Sequence, residues 1–300
     1  MGKYHIPVLL EESVSAMALR NGGVYADVTF GGGGHSMAIL ERMGKDSTLI
    51  SMDRDNEALA NGPADKRLIL VHNNYRFLRN YTEYHGFKKI DGILADLGVS
   101  SHQFDTGERG FSFRFDSPLD MRMNQMAKTT AAKILNSYQQ DQLARILYIY
   151  GEVENSRKVA ALICGEREKN EIKSTFDLNR VLAPVLPKFS EHKYLAKVYQ
   201  ALRIEVNGEM KSLELFLEST MELLAKGGRL VVITYHSLED RMVKNFMKYG
   251  NITGVADKDL YGRFDAPFDL VTKKPVVPSE EEISTNTRAR SAKLRVAEKR

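Results

Sequence analysis

The stretch Asp27-Val-Thr-Phe-Gly-Gly-Gly-Gly-His35 limits what this chain can fold into more than any other. An apolar run, Val24 to Val28, leads into it and reads as a buried strand; Met37-Ala-Ile-Leu40 follows and reads as the first turns of a helix. Strand, glycine bend and helix together present bare backbone N–H groups and a helix N-terminus to the negative end of a ligand. About 20 residues further on, a second apolar run, Thr48-Leu-Ile-Ser-Met52, ends in Asp53. A carboxylate there can accept hydrogen bonds from both hydroxyls of a ribose. The two features predict a nucleoside-containing ligand rather than a glycine turn with none.

The loop discriminates among nucleosides. A dinucleotide site requires G-x-G-x-x-G, because pyrophosphate must lie against bare backbone; counted from Gly31 and Gly33, the third glycine falls on Ser36. No Gly-Lys-Ser/Thr follows the glycines, so a P-loop is excluded as well. S-adenosylmethionine carries a ribose and an adenine but no phosphate, and suits the loop better than NAD or FAD. Asp27 would either supply negative charge for its ammonium or orient the loop.

Beyond Asp53 the alternation continues. Leu68 to Val71 reads as a third strand, Tyr75 to Tyr84 as a helix, and Ile90 to Ala95 as a fourth strand ending at Asp96. Strands separated by short helical patterns predict a parallel, doubly wound α/β sheet, in which ligands sit at the carboxyl ends of the strands. Gly31 to Gly34, Asp53, Tyr75 and Asp96 all fall at such ends. From about Phe104 the pattern changes. Residues 106–118 are irregular and rich in Gly, Arg and Phe. Four helical patterns then follow with no convincing strand: Ala132 to Tyr150, Ser156 to Glu168, Asp177 to Leu186 (capped by Ser174 or Thr175) and Tyr194 to Val206. They predict an all-helical insertion of roughly 100 residues. The sheet pattern resumes with an apolar helical stripe, Leu213, Phe216, Leu217, Met221 and Leu224, stopped by Gly227-Gly228. A clear strand from Arg229 to Tyr235 comes next, then a helix from Glu239 to Tyr249, and Ala292 to Val296 alternates as an antiparallel edge strand would.

Composition narrows the setting. There is no apolar leader and no apolar run near the length of a membrane span, so a cytoplasmic protein without membrane contact is expected. The single Cys164 rules out an intrachain disulfide and any CxxC site, and no trio of His, Cys or carboxylate has metal-site spacing, so no metal is expected. Cys164 also bears on chemistry. Methylation at carbon 5 of a pyrimidine requires a nucleophilic thiol, but Cys164 lies in an apolar helical run and reads as buried and inert. Net charge is only +4, though the last 15 residues carry six basic side chains against Glu298. Such a tail is equally a solvated end or a polyanion contact.

Several further blocks occur in order: His5-Ile-Pro-Val-Leu-Leu10, Asp53-Arg-Asp55, Asp91-Gly-Ile-Leu-Ala-Asp-Leu-Gly-Val-Ser-Ser101, Glu108-Arg-Gly-Phe-Ser-Phe113, Pro118-Leu-Asp-Met-Arg-Met123, Gln200-Ala-Leu-Arg-Ile204, His236-Ser-Leu-Glu-Asp-Arg241 and Arg288-Ala-Arg-Ser291. With the glycine loop they make the chain resemble, nearly end to end, the bacterial 16S ribosomal RNA cytosine-N4 methyltransferases that modify a decoding-region cytidine. The resemblance implies a Rossmann-like class I methyltransferase domain in two segments, 1–105 and 207–300, interrupted by a helical substrate-recognition domain, 106–206. It implies S-adenosylmethionine contacts from Gly33, Gly34, His35, Asp53, Tyr75, Asp96 and Gln103. The family more usually has Phe at position 75, and Tyr75 keeps the ring that would pack on adenine. The implied partner is 16S ribosomal RNA, within the small subunit or a late assembly intermediate, with the oligomeric state left open and a dimer one option.

Two roles stay open for Asp96. The exocyclic N4 of cytosine is a poor nucleophile, because its lone pair is delocalised into the ring, and an acceptor for its hydrogens would localise that pair. Other amino-methyltransferases place Asp/Asn/Ser-Pro-Pro-aromatic after the fourth strand; here the place reads Asp96-Leu-Gly-Val99, without the prolines or the aromatic. Asp96 is therefore either the catalytic acceptor or a cofactor ligand. A base must also leave its stack to react, and aromatics interleaved with arginine suit stacking and phosphate contact. Phe104, Arg109, Phe111, Phe113 and Arg114 are the substrate-binding candidates, with Phe115 beside them. His236 and the run Glu239-Asp-Arg241 sit on the same rim, either as a helix cap with an internal ion pair or as part of the site. The readings set against this one are an NAD-dependent oxidoreductase, which the missing third glycine disfavours, a non-catalytic RNA-binding module, and a methyltransferase acting on DNA.

Overall fold

The computed structural model describes residues 7–100, 104 and 107–300. The chain divides into two compact units: Met1–Gly98 with Met210–Arg300, and Val99–Glu209.

In the first unit, seven strands form one sheet: β1 (Val24–Asp27), β2 (Thr48–Asp53), β3 (Leu68–His72), β4 (Ile90–Asp96), β5 (Leu224–Thr234), β6 (Phe268–Leu270) and β7 (Lys293–Lys299), in the order β3-β2-β1-β4-β5-β7-β6. The first five strands in that order run parallel, and β7 and β6 are antiparallel to their neighbours. The inner strands are buried on both faces because successive side chains point to opposite sides of the pleat and each side meets its own apolar cluster. Ala26, Ile50, Ile93, Ala95, Leu230 and Val232 pack on one side with Phe216, Leu217 and Phe246. Tyr25, Leu49, Leu94, Val231 and Ile233 pack on the other with Val14, Met17 and Ile39. The strand order reverses between β1 and β4, and in open α/β sheets ligands bind beside such a switch point, at the carboxyl ends of the strands.

Two expectations for this unit change. Leu224 opens β5 rather than closing the preceding helix (Glu209–Leu223), and the register against β4 shifts between Ile90 and Gly92. Gly227, at φ +77°, turns the chain within that irregular start, and a Cβ on Gly228 would lie 2.8 Å from the carbonyl of Ala225. β7 is antiparallel as expected but is not an edge: β6 pairs along its outer side. Three residues are too few to show an alternating pattern, which is why β6 escapes a reading by periodicity.

The second unit is mainly helical, with helices Ala131–Ser137, Gln140–Gly151, Ser156–Arg167, Thr175–Leu182 and Glu191–Asn207. The pattern read as one helix from Ala132 to Tyr150 is two. Tyr138 is extended (φ −69°, ψ 144°), and Gln142 Oε1 accepts from the backbone N–H of Gln139 at 2.9 Å, starting a new helix there. Periodicity runs on because Ile134, Leu135, Leu143, Ala144 and Leu147 enter the same core from both pieces. Ser174, not Thr175, caps the next helix, accepting from Asp177 N–H at 3.2 Å, while Asp177 accepts from Ser174 N–H at 3.0 Å. Cys164 is half-buried against this core rather than wholly enclosed.

The Gly-rich start of the unit is a folding element. Gly110 has φ +70°, and a Cβ there would lie 2.2 Å from the Pro118 carbonyl oxygen and 3.0 Å from Asp120 N. Backbone cannot withdraw as a side-chain tip can. Gly110→Ala is expected to destabilise the helical unit by about 3 kcal/mol. Urea unfolding followed by a probe in this unit would measure it, and an unchanged midpoint would refute the close approach.

Candidate functional site at the carboxyl edge of the sheet

The glycine bend forms where the chain leaves β1. Gly33 adopts φ +79° and forms the N-cap of the helix Gly34–Arg42, so the helix starts inside the glycine run and not at Met37. A Cβ on Gly33 would meet the buried ring of Phe30 at 2.8 Å, and one on Gly34 would meet Pro7 at 2.2 Å. Gly32 is exposed, with open space above its Cα. Asp27 is fully buried. It accepts from Ser36 Oγ at 2.6 Å and from Thr29 N–H at 3.2 Å, and Ser36 in turn meets Ser51 Oγ at 2.8 Å. Burial pushes its pKa up, and its contacts tie strand, bend and helix together, so Asp27 orients the loop.

Asp53 is clasped to that loop. Its Oδ2 accepts from Gly31 N–H and its Oδ1 from Asp55 N–H, both at 2.8 Å. Burial raises its pKa and the two backbone donors oppose the rise. Each carboxylate oxygen has a second lone pair, which leaves a bidentate acceptor fixed in orientation. Tyr75 begins a 3-10 turn directly after β3, capped by Asn74, and its ring stands edge-on to Phe216 at 5.4 Å.

Asp96 ends β4, beside β1 at the switch point. Tyr235 donates its hydroxyl to Asp96 Oδ1 at 2.8 Å, Thr29 Oγ1 accepts from Asp96 N–H at 2.7 Å, and His35 Nδ1 lies 3.8 Å from Asp96 Oδ2. Burial pushes the Asp96 pKa up to about 6, reinforced by Asp27 and Glu239 and opposed by His35 and Tyr235, while 23% of the side chain still reaches solvent. His35 is itself buried, which lowers its pKa against the pull of Asp96, and its Nε2 has no hydrogen-bond partner among the described residues. A buried, unsatisfied ring nitrogen next to a glycine bend and a pre-oriented carboxylate fits a polar ligand such as a nucleoside. Gly33→Ala would force φ +79° on a residue with a Cβ and press it into Phe30. Cofactor affinity is expected to fall about tenfold, from about 1–2 kcal/mol of backbone strain. Calorimetric titration with S-adenosylhomocysteine would measure it, and an unchanged dissociation constant would count against the loop as a ligand cradle.

His236 caps the helix Ser237–Tyr249, and its Nε2 lies 3.1 Å from Glu239 Oε1. Glu239 Oε2 accepts from Tyr235 N–H at 3.1 Å. Asp240 pairs with Arg295 at 2.7 Å and Lys293 at 3.4 Å on β7, so part of the basic tail is held within the sheet. Sequence reasoning passed over Tyr235 in favour of its neighbour His236. The available signal was the same rim rule that picks out Asp53 and Asp96, applied to the end of the fifth strand.

The candidates in the helical unit separate. Arg109 is buried and donates to the carbonyls of Arg122 and Met123 at 2.8 and 3.1 Å, and Phe111 is a core residue. Phe104 packs partly buried against the same core. Phe113 stacks on His192 at 5.8 Å and meets Tyr199 edge-on at 5.6 Å. Arg114 is exposed, and the neighbouring Phe115 is 54% exposed. Gln103 lies outside the described residues.

A strand-end site of this kind, on a parallel sheet extended by the antiparallel β7 and β6, sits on a chain whose residues 2–300 match the model of a family described as the MraW methylase family. The chain belongs to the MraW methylase family. Among other proteins of similar sequence, it is 53% identical over 297 residues to the "Ribosomal RNA small subunit methyltransferase H" of Bacteroides fragilis (strain YCH46), covering 99% of this chain and 98% of that protein. It is 52% identical over 297 residues to the protein of the same name from Parabacteroides distasonis, covering 99% and 97%. Against that of Flavobacterium johnsoniae it is 50% identical over 297 residues, covering 99% and 98%. No described helix of this MraW-family chain is long and apolar enough to cross a membrane.

Proposed function

We propose that this MraW-family chain transfers a methyl group from S-adenosylmethionine to the exocyclic N4 of a cytidine in the decoding region of 16S ribosomal RNA, acting in the cytoplasm on the small subunit or a late assembly intermediate. The names of its relatives support the ribosomal RNA of the small subunit as substrate, and the ordered motif blocks along the chain support the cytidine N4. The observation that carries the reading is the pairing, on adjoining stretches of one rim, of the Asp53–Gly31 clasp with the Asp96–Tyr235 pair.

In this reading Asp53 accepts both ribose hydroxyls, Gly33 and Gly34 shape the bend and the helix start that face the ligand, His35 Nε2 gains a polar partner, and Tyr75 offers its ring to the adenine. The bound sulfonium supplies an electrophilic methyl carbon for in-line displacement, so holding the reactants aligned contributes much of the rate. Asp96 takes up the N4 hydrogen. A carboxyl with a pKa near 6 is ionised at neutral pH yet basic enough to take a proton, the match that general-base catalysis favours. The helical unit serves RNA recognition, with Arg114 and Phe115 its exposed contacts and with Arg109, Phe111 and Phe113 holding the segment that carries them.

Labelled S-adenosylmethionine offered with free 16S RNA, assembled 30S subunits and DNA is the direct test. Label is expected in ribosomal RNA as N4-methylcytidine at a single position. Label in DNA, at a ring carbon, or in no nucleic acid would overturn the proposal.

A further inference from the structure

We propose that Tyr235 is a positioning residue that determines which oxygen of Asp96 receives the amine hydrogen. The inference rests on the proposed role of Asp96 as proton acceptor. The Tyr235 hydroxyl donates to Oδ1 at 2.8 Å, which leaves Oδ2, the oxygen nearer His35, as the acceptor. The two residues lie 139 positions apart in the chain and meet because β4 and β5 pair in parallel, Asp96 opposite Ile233.

The residue is anchored at its backbone: the Tyr235 N–H donates to Glu239 Oε2 at 3.1 Å. Burial and the nearby carboxylates drive the phenol pKa well above its ordinary value, so the hydroxyl keeps its proton and acts on Asp96 as a donor. Among the described residues, the charged and titratable groups facing Asp96 are His35 from the helix after the glycine bend, Asp27 from β1, Glu239 from the helix after β5, and Tyr235 itself. Asp27 and Glu239 favour the protonated carboxyl. His35 and the Tyr235 hydroxyl favour the carboxylate, and of these two only Tyr235 is within hydrogen-bond distance.

In the transfer step the N4 lone pair forms the bond to the methyl carbon, the carbon–sulfur pair leaves with sulfur as neutral S-adenosylhomocysteine, and the N4–H bond breaks as the proton moves to Asp96 Oδ2. That proton passes to water before the next turnover. Without the Tyr235 donor, Asp96 would hold its proton to higher pH and either oxygen could carry it.

Tyr235→Phe keeps the ring and removes only the donor. Single-turnover methyl transfer measured from pH 5 to 9 is expected to show the acid limb moved up by about one pH unit, so that transfer near pH 6 drops about tenfold and recovers as pH rises. An acid limb at its original pH, or a loss of equal size at every pH, would overturn the proposal, since either is what a packing role produces. Carbon-13 NMR titration of the Asp96 carboxyl in both proteins needs no RNA, and is expected to show the same upward displacement in the variant. An unmoved carboxyl titration would overturn the inference even if the native chain methylates ribosomal RNA. A displaced titration in a chain that methylates no RNA would instead remove the functional reading and leave the Tyr235–Asp96 linkage standing.

Discussion

Asp96→Asn is expected to slow methyl transfer by about 10²–10⁴-fold, the usual contribution of a positioned general base, with S-adenosylhomocysteine affinity little changed. The amide keeps the shape and can still accept from Tyr235, but it cannot take up a proton near neutral pH. The alternative role for Asp96 predicts the opposite split: if the residue holds the cofactor, affinity falls and single-turnover transfer at saturating cofactor survives. Survival of both would remove Asp96 from the site altogether.

The same substitution carries a stability signature of known sign. The Asp96 pKa is raised from 3.8 to about 6 on folding, so between those values the folded state binds more protons than the unfolded one. Stability contributed by this group therefore falls as pH rises through that window, and the full penalty is present above it. Asp96→Asn removes the buried charge and is expected to be the more heat-stable protein at pH 7–8, by up to about 3 kcal/mol, with the difference vanishing below pH 4. A variant that is slower and more stable together is the mark of a carboxylate kept for chemistry at the expense of the fold. Equal melting temperatures across pH would contradict the desolvated environment.

Asp53→Ala is expected to weaken S-adenosylhomocysteine binding by about a hundredfold or more, since hydrogen bonds to a charged group contribute about 1.5–3 kcal/mol each and two are lost. Asp53 also anchors Gly31 and Asp55, so the alanine loosens the glycine bend as well. Asp53→Asn separates the effects: it keeps an acceptor for one backbone donor and one ribose hydroxyl, and should fall between the alanine and the native protein. Calorimetry on the three proteins gives the order. Alanine binding within twofold of native would show that the clasp is structural and that the ribose lies elsewhere.

The chain's own pattern made much of this molecule legible. The glycine run after β1 and the acid that ends β2 could be read because the ligand rim of a parallel sheet recurs at fixed places relative to its strands. The motif blocks implied the family whose model spans residues 2–300. The helix break at Tyr138 was hidden, because the apolar residues on both sides enter one core and preserve the period. β6 was hidden by its length. Arg109 and Phe111 looked like surface contacts because arginine beside aromatic residues suits RNA, yet the Arg109 guanidinium donates to two backbone carbonyls inside the helical unit. Composition does not distinguish an arginine that caps a loop from one that meets phosphate.

Local periodicity and short-range backbone sterics were enough to specify a doubly wound sheet with a helical insertion, the glycine bend, and the acids at the strand ends. It took the folded chain to turn Asp27 inward to Ser36, to clasp Asp53 to Gly31, and to bring Tyr235 to Asp96 from the neighbouring strand. Those contacts join residues 9, 22 and 139 positions apart. The protonation behaviour of a carboxylate depends on which groups surround it in space and how far they exclude water, and neither is encoded in the spacing of residues along a chain.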